Sequence, residues 1–72
     1  MNMRSTLISS AQDYFAASLK RHQCNVEIML NNPTAIHDHT GWMAAMETEI
    51  AHMAEYQDKI EILQQYFPHM PA

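Results

Sequence analysis

Residues 31–42 read NNPTAIHDHTGW. The segments on either side, 1–32 and 42–67, contain neither Pro nor Gly, whereas this stretch holds Pro33 and the chain's single glycine, Gly41. Two histidines, His37 and His39, flank Asp38 here, so the stretch reads either as a small metal or acid–base site or as the bend between two helices. The bend accounts for more of its residues. Asn31 or Asn32 suits the left-handed conformation that ends many helices, and Pro33 follows as a stop. Thr40 or Asp38 is a natural N-cap for what comes next, and Asp38 suits the positive end of a helix dipole. Ile36 fits as an apolar staple ahead of that cap. His37 and His39 are then solvated loop residues.

Outward from the bend, the first segment is expected to be helical from about residue 5 to residue 30. Ser5, Thr6, Ser9 and Ser10 all offer N-cap side chains. Ile8, Phe15, Leu19, His22, Val26 and Met29 recur at helical spacing and define one face. Leu7, Tyr14, Cys24 and Ile28 form a second apolar column on a different side. A helix that is apolar on two sides calls for more than one neighbour. The second segment is expected to be helical from about 41 to 67. Its apolar positions Met43, Met46, Ile50, Met53, Tyr56, Ile60, Leu63 and Phe67 step by three or four residues throughout. Glu55 precedes Lys59 by four residues, the favoured order for a helical ion pair. Pro68 cannot continue a helix, which leaves 68–72 as a short tail.

A short connection makes the two helices antiparallel neighbours, each about 40 Å long at roughly 1.5 Å per residue. The expected fold is therefore all-α: one domain over 1–72, a two-helix hairpin with its loop at 31–40. Seventy-two residues give a small domain, and small domains usually need a disulfide, a metal or a partner chain. The single cysteine, Cys24, excludes an internal disulfide. With one layer of two helices unable to cover both apolar sides of the first, the economical solution is a homodimer forming a four-helix bundle. The fourteen face residues named above, from Ile8 to Met29 and from Met43 to Phe67, are the expected core and self-association set. The seven methionines fit as adaptable filler in apolar surfaces.

Composition narrows the function. Net charge is −4, with Glu47, Glu49, Glu55, Asp58 and Glu61 facing only Lys59 in the second helix. Nucleic-acid binders concentrate Lys and Arg on one face, so no nucleic-acid partner is expected. No run approaches the roughly 20 apolar residues of a membrane span, and no membrane partner is expected. One thiol and no secretory signal suggest a reducing intracellular setting. His22 and Cys24 are two residues apart on a helix and do not face each other, and no triad or phosphate loop is present. The chain is expected not to be an enzyme.

A metal site is the alternative worth stating. Glu49 and His52 form a Glu-x-x-His pair, the spacing used in di-metal helical bundles, and Glu27 or His22 could add a ligand. In a hairpin centred near His37, position 22 lies level with position 52. Against this reading, the stripe through Ile50 and Met53 leaves Glu49 and His52 towards its edge, and inward carboxylates are few. The expectation is therefore no metal and no cofactor, with His22 a polar residue in the seam that fixes register. His69 belongs to the tail.

One stretch carries a resemblance. "NVEIMLNNP", then Ile36 and His39, then "AEYQDKIEILQQYF" resemble a family of small helical proteins encoded by large tailed phages, including those of marine cyanobacteria. The likeness covers residues 25–67. The family pattern has Gly and an acidic residue before its histidine, where this chain has His37 and Asp38. The family carries no assigned activity, so the resemblance implies a phage origin and an accessory or regulatory role but no site residues. The implied setting is the cytoplasm of the infected host cell, or else a minor component of the particle, with a phage or host protein as further partner.

Overall fold

The computed structural model describes residues 2–32 and 39–68. It contains two helices, α1 (Met3–Asn31) and α2 (His39–Tyr66), and no strand among the described residues. Contacting pairs run in opposite directions along the two helices: Phe15 meets Tyr56, His22 meets His52, and Arg4 Nη1 donates to the Pro68 carbonyl at 3.4 Å. The hairpin is therefore antiparallel, a rod 52 Å long and 17 × 15 Å across. No helix of the described residues is long and apolar enough to cross a membrane.

The helix ends differ from expectation in instructive ways. Asn2, rather than any of the serines or threonines that follow, caps α1. Its backbone is extended (φ −108°, ψ 165°) and its Oδ1 accepts from the Ser5 N–H at 2.7 Å. Asn2 combines a strong capping side chain with a place ahead of an uninterrupted helical run. At the other end neither Asn31 nor Asn32 is left-handed: Asn31 is still helical, and Asn32 sits at φ −134°, ψ 50°. Their side chains do the capping instead. Asn31 Nδ2 donates to the Glu27 carbonyl at 2.8 Å and Asn32 Nδ2 to the Ile28 carbonyl at 3.0 Å. The Ile28 carbonyl, among the last four of the helix, is thus satisfied without a left-handed residue, and the Asn32 N–H reaches the Met29 carbonyl at 3.4 Å. α2 begins at His39, so Thr40 lies within its first turn rather than ahead of it. Pro33, Ile36, His37, Asp38 and the tail beyond Pro68 lie outside the described residues, and with them the readings of loop staple, loop cap and solvated histidines. The last backbone bond of α2's end, Phe67 N–H to the Leu63 carbonyl at 2.9 Å, immediately precedes Pro68.

The seam between the helices follows a heptad rhythm. Ile8, Phe15, His22 and Met29 recur every seventh residue in α1, flanked by Leu19 and Val26, and all are buried or half-buried. On α2 the half-buried column is Trp42, Met46, Glu49, Met53, Tyr56, Ile60 and Leu63, alternating steps of four and three. Within the single chain the seam takes a column neighbouring the one read from apolarity. Met43, Ile50 and Phe67 were expected to join the buried stripe, but in the single chain they are 51%, 47% and 49% exposed. Glu49, expected towards the edge, occupies the seam in place of its neighbour Ile50. The reason is chemical: Glu49 finds hydrogen-bond donors across the seam, which Ile50 could not use.

Candidate functional site

The seam is polar at its centre. His22 sits mid-helix in α1 and is 9% exposed; Ser18, one turn earlier, is 6% exposed, and these two are the buried residues among those described. His22 Nδ1 lies 2.6 Å from Glu49 Oε2, and Asn25 Nδ2 donates to both Glu49 oxygens at 3.3 Å. Arg21 Nη2 approaches His22 Nε2 at 3.3 Å. A guanidinium has donors only. Nε2 therefore supplies the lone pair, and Nδ1 carries the proton that His22 donates to Glu49. The result is a hydrogen-bonded line from Arg21 through His22 to the Glu49 carboxylate.

Aromatic rings extend this layer along the seam. The His52 ring stacks on His22 with centroids 4.5 Å apart and planes 21° from parallel. Tyr56 continues the stack at 5.9 Å from His22, and Phe15 lies 6.3 Å beyond Tyr56's ring. Lys59 Nζ sits 5.0 Å from the centre of the Tyr56 ring and bonds Glu55 at 2.8 Å, the ion pair foreseen from the sequence. The hydrogen bond from His22, followed by that from Asn25, holds the Glu49 carboxyl below its usual range, outweighing the opposing effect of desolvation. The Lys59 hydrogen bond likewise lowers Glu55, and the Glu55 bond raises Lys59. Trp42 Nε1, at the loop end of the seam, is a buried donor with no hydrogen-bond partner, a cost of about 1–3 kcal/mol where it persists.

The structure thus brings together three of the four residues considered for a metal: His22, Glu49 and His52. Glu27 is exposed and apart from them. The geometry favours packing over coordination. A metal lies in the plane of each imidazole that binds it, and two rings stacked face to face aim their lone pairs side by side rather than at one point. Both Glu49 oxygens already accept bonds from His22 and Asn25. Among the described residues no group of three His, Cys, Asp or Glu side chains could hold a metal ion. Sequence reasoning missed Arg21 and Asn25. The available signal was positional: Asn25 follows the small residues Ala11 and Ser18 at intervals of seven, and all three are buried or half-buried.

Parts of the outer surface are apolar. Leu7, Tyr14 and Ile28 are about 60% exposed on α1, and Cys24 on the same side is an exposed free thiol. On another side Leu19, Ile50, Met53, Ala54 and Gln57 line a shallow hollow of about 300 Å³. No family model matches this sequence, and no curated protein or solved structure proves similar to it.

Proposed function

We propose that the protein works as a homodimer, two hairpins forming a four-helix bundle that acts through protein–protein contact rather than catalysis. The carrying observation is surface area. The chain exposes 5549 Å². A compact monomer of its 8.3 kDa mass would expose about 4,600 Å². No apolar side chain among the described residues is buried in the single hairpin, and ten large ones are between 42% and 71% exposed. A second copy supplies the missing cover without new sequence.

The polar layer fits this reading as a register key. A buried His–Glu–Asn contact tolerates one alignment of the helices where an all-apolar seam would tolerate several. Nε2 of His22, the nitrogen that would have to face a substrate in acid–base chemistry, is occupied by Arg21.

We propose further, on the resemblance read from the sequence of residues 25–67 alone, an accessory or regulatory role in an infected cell with a phage or host protein as the further partner. Mass spectrometry of purified particles against infected-cell extract separates that setting from a place in the virion. Assembly itself is tested by dilution. Thermal unfolding of a dimer should shift downward by on the order of 10 °C for a hundredfold fall in concentration. A transition indifferent to concentration would refute it.

A further inference from the structure

We infer that the second copy docks on the face carrying the Leu19–Ile50–Met53 hollow, with α1 of each chain against α2 of its partner, and that the Leu7–Tyr14–Ile28 column stays outside the interface. The inference rests on the self-association proposed above and specifies its surface.

The two candidate faces are chemically unequal. Leu7, Tyr14, Arg21 and Ile28 recur every seventh residue on α1, so the apolar column is broken at its middle by a guanidinium. That guanidinium is held in place by His22. Interface centres are depleted in charge, because a cation buried there loses its hydration. The hollow has no such interruption: of its five lining residues four are apolar, and the fifth, Gln57, is uncharged. A two-fold axis running along this face, parallel to the helices, sets each hollow level with its own copy. Ile50, 47% exposed, is the large side chain available to fill the partner's hollow.

Charge selects the arrangement on that face. α1 carries Arg4, Lys20 and Arg21 against Asp13 and Glu27, while α2 carries Lys59 against Glu47, Glu49, Glu55, Asp58 and Glu61. Stacking α2 on α2 would oppose two strongly acidic helices. A two-fold axis parallel to the helices instead places each α1 beside the partner's α2. It also makes every neighbouring pair antiparallel, with loops at one end, so the helix dipoles oppose.

Two variants and one native thiol test this. Ala54 and Ile28 are both exposed in the hairpin, so a charge at either leaves the seam untouched. Ala54→Glu should weaken dimerisation by roughly 100-fold in sedimentation velocity, while Ile28→Glu should match wild type. In the unmodified dimer Cys24 should react with Ellman's reagent within about threefold of its rate in the unfolded chain. This last measurement decides the matter even where Ala54→Glu fails to fold. A dimer in which Ile28→Glu dissociates and Ala54→Glu does not, or in which Cys24 is protected more than about tenfold, overturns this choice of face while sparing the dimer. A wild-type monomer at every concentration overturns both.

Discussion

The centre of the seam and the outer faces of the same two helices reverse the usual division of a small protein. Inside, the best-buried residues are Ser18 and His22. Outside, Leu7, Tyr14, Ile28, Met43 and Ile50 stand roughly half or more exposed. Burying apolar surface is the main favourable term in folding, at roughly 25 cal/mol per Å². A hairpin that buries polar groups and exposes apolar ones gains little of it. If a second copy covers the face carrying Met43 and Ile50, as proposed above, that face supplies the driving force and the seam aligns the helices.

The contrast breaks most visibly at Ile50. Ile50→Asp leaves the seam intact but puts a carboxylate where apolar cover is needed, at a cost of roughly 3 kcal/mol or more in the assembled protein. The variant should be monomeric and largely unfolded by circular dichroism at micromolar concentration. Wild-type stability would show that the outer face carries no load.

The polar centre should respond in a different pattern. His22→Leu or Glu49→Leu alone leaves a partner group buried without its bond and should lower the melting temperature by roughly 5–10 °C. The double replacement should recover most of that loss or exceed wild type, because an apolar pair removes both desolvation penalties. It should also relax register, seen as broadened amide resonances. Additive losses in the double variant would mean that the two residues act independently.

Acid should expose the same centre more gently. The folded-state pKa of Glu49 is depressed below 4.5. Its stabilising contribution is therefore complete above the unfolded value and is lost as pH falls through the lower folded one. Melting temperature should drop as pH goes from about 5 towards 3, and Glu49→Gln should flatten part of that slope. The remainder includes Glu55, whose pKa is also lowered. Lys59→Ala should have the smallest effect, a change within about 2 °C, since its bond to Glu55 lies in solvent with the two side chains 43% and 54% exposed.

Much of this was legible in the sequence. The absence of Pro and Gly from 1–32 and 42–67 marked two helices, and the level pairing of His22 with His52 followed from a hairpin centred on the bend. What could not be read was which of two adjacent columns on α2 faced inward. Met43 and Ile50 stand one residue beyond Trp42 and Glu49, and both sets join Met46 and Met53 at helical spacing. Apolarity alone chooses Ile50; the structure chooses Glu49 because His22 and Asn25 wait opposite it. A partner across the chain carries no local signal, and neither does the choice of Asn2 over several serines as a cap.

Sedimentation equilibrium of the wild-type protein, from below one micromolar to several hundred, addresses the dimer itself. The account predicts a mass that rises from one chain towards two with a single monomer–dimer constant, and helicity that rises with it. A fully helical species of 8.3 kDa at every concentration would contradict it.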